Sequence, residues 1–290
     1  MLLTGVAVGV PPATSSEAAA ADGCLPTNGL MNLNDADRLL AGSVRVAGGT
    51  RVELGSGNVS WAQTSLDTQS ARSLYSLKWV EELVREHRRS GDRRYLDRAV
   101  QLVLDFAADN PPGRGPDPDD AWYPFHAGQR ATTIACVAAV SNDARMRAAL
   151  VEHGEWLHQR VNSLDVWNQA IDPNLGLLMA GCSLNRAAWT DRAATNFTRL
   201  IEAMIDRQGA LTEQAPGYGR LVWNRWETVA EQLSACGLTP PPSIAQRRDA
   251  LLRWLAWSSA PDGTLPQLGD AFRPTEPPAP AGSATLYTQP

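Results

Sequence analysis

SLYSLKWVEELVREHRRSGDRRYLDRAVQLVLDFAA, residues 73–108, decides the fold. Leu74, Leu77, Val80 and Val84 fall three and four residues apart, with Glu81 on the same stripe, as on one face of an α-helix. Gly91 supplies a stop and Asp92 a cap for a second helix, whose apolar face carries Leu96, Val100, Val103, Leu104 and Ala107 to about Ala108. Two such helices on a short connection pack as an antiparallel hairpin. The same pattern recurs at about 127–140, 143–161, 174–183, 187–207, 219–236 and 244–259, with Asn, Asp, Gly and Pro in the connections. No strand alternation interrupts it. The expected class is therefore all-α, an array of helical hairpins that either closes into a toroid or stays open as a solenoid. No sequence repeat is present, which disfavours the repeat families of solenoid.

Before this array, residues 43–61 alternate (Val44, Val46, Val52, Leu54) and hold Gly48-Gly49, which reads as a hairpin or extended lead-in. Residues 110–120 form a Pro/Asp-rich loop, and Pro274 to Pro280 lie in an aperiodic tail. The organisation expected is 1–22 as a signal peptide or disordered tail, 23–60 as lead-in, 61–270 as the helical domain and 271–290 as a Pro-rich tail or truncated linker. The short apolar run Leu2 to Val10 followed by Ala18 to Ala21 resembles a secretory signal, so export to the periplasm or the exterior is expected.

Bulk properties exclude several functions. The net charge of −5 on 290 residues gives no basic face for nucleic acid. No apolar run is long enough to span a membrane. The four His and four Cys lack metal-ligand spacing, so no metal and no cofactor are expected. Cys136 and Cys182 sit in apolar helical runs and read as small core residues; if the chain is exported a disulfide is possible, with the pairing open. Ten Trp is a large complement, suited to core filling or to stacking on sugar rings.

Two stretches carry the candidate chemistry. Trp167-Asn-Gln-Ala-Ile-Asp172 places an amide pair and a carboxylate before a helix, and Asp206 to Tyr218 places Glu213 and a phenol in a Gly/Pro-rich loop between helices.

The order of these and other motifs resembles the helical domain of the heparinase II/III-like polysaccharide lyases. The stretches that carry the resemblance are Tyr75-Ser-Leu-Lys-Trp-Val-Glu-Glu-Leu, Ala121-Trp-Tyr-Pro-Phe-His-Ala-Gly-Gln-Arg130, Glu152-His-Gly-Glu-Trp-Leu, Asn168-Gln169 with Asp172 and Gly176 to Gly181, the Glu213 to Tyr218 loop, and Pro261 to Asp270. Together they cover roughly 60–270. The resemblance implies an incomplete (α/α) toroid of antiparallel helical hairpins and, in the family, a following antiparallel β-sheet domain. It implies β-elimination at a uronic acid, in an acidic polysaccharide or oligosaccharide. A donor must share the charge of the substrate carboxylate, a base must take the C5 proton, and an acid must protonate the departing O4.

Carried over by position, Asn168 binds the uronate carboxylate, Tyr218 transfers the proton, and Arg130 holds substrate charge. Asp172 falls where some members have Glu, and Glu213 shapes the loop. Gln169 stands where most relatives have His, and Gln can hydrogen-bond but cannot carry charge. The family's β-sheet domain is missing from this sequence, so elimination by this chain alone is expected to be weak or absent. Each site residue also has a structural reading. Asn168 can serve a turn, Tyr218 a core, Arg130 an ion pair, His126 packing or a cap, and Glu213 the cap of the next helix. Trp122 and Trp167 are sugar-stacking candidates or core. Two other functions stand beside the lyase: a toroidal glycoside hydrolase using Asp172 and Glu213 as its carboxylate pair, and a catalytically silent carbohydrate-binding protein.

Overall fold

The computed structural model describes Cys24, residues 34–63 and residues 65–268. The expected leader (1–22) and tail (271–290) lie outside the described residues. A short helix α1 (Ala36–Leu40) precedes a two-stranded antiparallel hairpin of β1 (Ser43–Arg45) and β2 (Arg51–Glu53), with Val44 opposite Val52. The remaining elements are helical: α2 (Thr68–Tyr75), α3 (Glu81–Ser90), α4 (Arg93–Asp109), α5 (Pro118–Ala121), α6 (Pro124–Ser141), α7 (Ala144–Arg160), α8 (Ile171–Leu184), α9 (Ala187–Met204), α10 (Pro216–Ala235) and α11 (Pro242–Ser258). The chain is the all-α toroid expected.

Its helices form four hairpins, α3/α4, α6/α7, α8/α9 and α10/α11, and like members of each hairpin pack side by side. One row runs α3, α6, α8, α10; the other runs α4, α7, α9, α11. Sequence explains which row lies inside. Helices α6 and α8 are buried on nearly every side: Ala127 to Val137 and Pro173 to Gly181 are buried without a break, with the polar Gln129, Arg130 and Asn174 among them. A helix buried all round belongs in an interior. By contrast α4 keeps one buried stripe, Leu96, Ala99, Leu102, Val103 and Phe106, and an Asp92 cap accepts from the Arg94 N–H. Asp143 caps α7 in the same way.

The inner helices touch backbone to backbone. A side chain at Gly128 would run into the backbone of Asp172 and Pro173, and one at Gly176 would meet Gly128. This crossing sets α8 against α6 and so fixes the loop ahead of each.

The structure departs from the sequence reading at residues 76–80. The helix expected to run from Ser73 to Gly91 is broken. Leu77 adopts φ 51°, left-handed backbone that a branched side chain adopts only under surrounding constraint. Ser76 supplies the local reason: its Oγ donates to Ser73 O at 2.7 Å and accepts from the Lys78 N–H at 3.2 Å, replacing helical ladder bonds. A 3₁₀ turn, Lys78–Val80, then restarts the chain at a new angle. Glu81 becomes fully buried there and receives Lys78 Nζ at 2.7 Å and Thr133 Oγ1 at 3.1 Å, tying α3 to α6.

The cysteines are a second correction. Cys136 and Cys182 are not free core residues: disulfides join Cys24 to Cys136 and Cys182 to Cys236. The second bridges the C-terminal ends of α8 and α10, neighbours in the inner row.

Candidate active-site groove

The connections that enter α6, α8 and α10 meet at one end of the inner row. They enclose an open groove of about 470 Å³ lined by Tyr123, Pro124 and Phe125 at the start of α6, Leu164 to Ala170 (without Val166) before α8, and Glu213 and Tyr218 at the start of α10. Tyr123, Ala170 and Ala215, the residues that open these helices, make no side-chain cap. Helices α6 and α10 thus begin at the groove without a side-chain cap, and their dipoles favour an anion there, whereas α8 continues the 3₁₀ turn Asn168–Ala170, whose first amide is taken by Glu213.

Asn168 and Glu213 knit two of these connections together. The Asn168 backbone N–H donates to Glu213 Oε1 at 2.8 Å, and its Nδ2 donates to Oε2 at 3.0 Å. Glu213 therefore braces Asn168 across the groove rather than capping α10, and both carboxylate oxygens are engaged. From below, Arg225 on α10 donates to Asn168 O at 3.4 Å and pairs with Asp172 Oδ2 at 2.6 Å. Burial pushes the Asp172 carboxyl above its usual range, while Arg225 and then Gln129 oppose the shift. Asp172 is not among the lining residues; it anchors Arg225 under the amide.

Gln169 is held from the other wall. Its Oε1 accepts from Tyr123 OH at 2.7 Å. The Tyr123 ring lies 3.9 Å beneath the Arg72 guanidinium, and Arg72 Nε is 2.6 Å from Asp120 Oδ1. Tyr218 lines the groove on the third residue of α10, aimed by Pro216 and Gly217. Trp167 stands on the groove rim at 59% exposure.

Three expected ligands lie elsewhere. Arg130 is fully buried. Its guanidinium donates to Tyr75 O at 2.7 Å, Ala121 O at 2.9 Å and His153 Nε2 at 2.7 Å, between the rings of Phe106 and Trp122. Sequence shows a charge but not that backbone carbonyls consume it. Trp122 is 5% exposed, donates its N–H to Asn110 O at 3.0 Å and packs on Trp156. His126 follows Phe125 directly but is not among the lining residues, its ring 4.8 Å from that of Phe125, with Nδ1 buried and without a partner. Burial, then the charges of Arg72, Arg130 and Arg225, pull its pKa down to about 3, so it is neutral at pH 7.

The buried imidazoles make stability depend on pH. His153 accepts from Arg130 at Nε2, so its Nδ1, 2.8 Å from Ala149 O, carries the proton. Burial and the Arg130 charge hold its pKa well below the ordinary value. An unfolded His titrates near 6.5, so below that pH the unfolded state takes up protons that the native His126 and His153 refuse. Stability is expected to fall as pH drops from 6.5 toward 3, by up to about 1.4 kcal/mol per pH unit for each imidazole. The raised Asp172 carboxyl acts with the opposite sign, losing its contribution as pH rises above the unfolded carboxyl value. Thermal midpoints measured from pH 7 to 5 should decline; a flat or rising series contradicts this assignment.

Two residues that matter here, Tyr123 and Arg225, were not singled out by sequence. Tyr123 lies inside a motif already noted and directly precedes the Pro124 that opens α6, a usable signal. Arg225 sits ten residues into α10 with nothing local to mark it.

Fold and groove together define a helical toroid with a polar, aromatic-rimmed cleft at the N-terminal ends of its inner helices. Solved structures of similar architecture are polysaccharide lyases. The chain superposes on the heparan sulfate lyase HepC of Pedobacter heparinus with a TM-score of 0.65 at 17% identity, covering 88% of this chain and 44% of that one. On the heparinase III BT4657 gene product with methylated lysines the values are 0.63, 18%, 80% and 41%. On a crystal structure of heparinase III they are 0.63, 15%, 92% and 43%. The chain spans less than half the length of these proteins, and at such identity the likeness is one of fold. No family model matches the chain, and no curated protein does. Among the described residues no helix is long and apolar enough to cross a membrane.

Proposed function

We propose that the groove binds a uronic-acid-containing polysaccharide and supports its cleavage by β-elimination. The observation that carries this reading is the convergence, in one groove, of the adjacent amides Asn168 and Gln169, the Tyr218 phenol and the N-terminal ends of α6 and α10. A carboxylate seated against the amides and helix ends has its charge shared, which acidifies the C5 proton. Removal of that proton, formation of the C4–C5 double bond and departure of O4 with a proton complete the elimination. Tyr218 gives its proton to the departing O4 and the C5 proton passes to solvent in the open groove, while Trp167 supplies a stacking face for a sugar ring. The heparan sulfate lyase fold neighbours support the substrate class.

The hydrolase reading has less support. Asp172 is spent on Arg225 outside the groove lining and Glu213 on Asn168, so the two carboxylates do not face each other across open space. The two disulfides favour folding in an oxidising compartment, periplasmic or extracellular. The test of function is incubation with uronate polymers. A lyase yields products with a conjugated double bond, a hydrolase yields saturated new ends, and a silent binder yields neither.

Trp167→Ala should weaken oligosaccharide binding about tenfold, the scale of one lost stacking contact, with the thermal midpoint unchanged because the ring is exposed. Calorimetric titration beside a melting curve checks both. Unaltered affinity removes Trp167 from the site.

A further inference from the structure

We propose that Tyr123 is a positioning residue, whose hydroxyl turns the Gln169 amide so that its NH₂ faces the groove as a neutral donor to the substrate carboxylate. This rests on the uronate reading above, and it explains how Gln can stand where an imidazole would otherwise be expected.

A Gln side chain has one acceptor end and one donor end, and an anionic ligand needs the donor end. Tyr123 OH, 2.7 Å from Oε1, claims the acceptor end. Among the described residues the Nε2 group has no protein acceptor, while Gln169 lines the groove. An unanchored Gln on an exposed turn would sample many rotamers, and the ordering would be lost to entropy on binding.

Tyr123 is itself fixed. The Arg72 guanidinium lies 3.9 Å over its ring, Asp120 holds Arg72 at 2.6 Å, and Pro124 constrains the backbone that follows. The tether therefore runs from α2 through α5 to the groove wall. On the adjoining wall Asn168 is braced in parallel by Glu213, with one Nδ2 hydrogen spent on Oε2 and the second left over. The result is two braced primary amides side by side, with no Lys or Arg among the lining residues. A carboxylate here meets donors that keep their state across the pH range, rather than a titrating ring.

The test uses the full chain, an unsulfated hexuronate tetrasaccharide and its carboxyl-reduced counterpart, with binding by calorimetry and turnover by absorbance of the unsaturated product. Tyr123→Phe and Gln169→Ala should each weaken binding of the carboxylate ligand about tenfold, the size of one hydrogen bond to a charged group. The double variant should be no worse than either single one, and neither should alter binding of the reduced ligand. In turnover kcat should fall as well as KM rise, because the same donor shares the carboxylate charge that builds up during elimination. Additive losses, or equal losses on both ligands, overturn the proposal and leave Tyr123 a loop brace.

A ligand-free readout stands apart from function. The Gln169 side-chain NH₂ should be ordered on the nanosecond scale by nitrogen relaxation in the native protein and mobile in Tyr123→Phe. A mobile NH₂ in the native protein overturns the proposal even if the tetrasaccharide is bound and cleaved. If neither ligand binds while that NH₂ is ordered by Tyr123, the uronate reading fails and with it the donor role toward a carboxylate.

Discussion

Replacement of Tyr218 by Phe is expected to reduce elimination by about 10²–10⁴-fold, the range that a positioned proton donor or acceptor contributes. The substitution removes one hydroxyl and keeps the ring, which packs at the edge of the core. The fold and substrate affinity should therefore persist. An ordinary phenol titrates near 10 and is a competent acid but a poor base at neutral pH. Its use as base would need a neighbouring cation, and the buried Arg130 does not supply one. The experiment follows formation of the unsaturated product and, separately, binding of an oligosaccharide. Unchanged elimination in a folded variant rules the role out. Lost binding together with lost turnover would mark Tyr218 as structural.

The second large effect concerns stability. Arg130→Met should destabilise the protein by about 3–5 kcal/mol, because the loss strands His153 Nε2 and two buried carbonyls without donors. For a helical domain of this size that corresponds to a thermal midpoint lower by about 10 °C. Had Arg130 been a groove ligand, the same change would cost affinity and leave the midpoint in place. Melting curves beside binding titrations separate the two. A variant with native stability and weakened binding would return Arg130 to the site.

How much of this was legible follows a physical line. Helical periodicity and turn residues are local, and they mark the hairpins α3/α4 through α10/α11 to within a few residues. Asp92 and Gly91 were readable as cap and stop because their chemistry acts on their own neighbours. The break at Leu77 was not, since left-handed backbone at a Leu is imposed by packing and by a Ser76 hydroxyl that could equally have faced solvent. Burial is also nonlocal. Trp122 and Trp167 are alike in sequence, yet one donates to Asn110 in the core and the other stands on the rim. Asn168, Gln169 and Tyr218 were legible as groove residues through motif order. Their braces were not, because Glu213, Tyr123 and Arg225 reach them across 45, 46 and 57 positions of chain. The disulfides belong to the same class, joining cysteines 112 and 54 positions apart.

The central claim is that the groove seats a uronate carboxylate for elimination. Its most direct test is a product analysis of the intact chain incubated with an unsulfated uronate polymer, beside Asn168→Ala. The account predicts products one water lighter than hydrolytic ones, with a conjugated double bond at the new non-reducing end, and their loss in the variant. Saturated products, or unsaturated products formed equally well by Asn168→Ala, would contradict it.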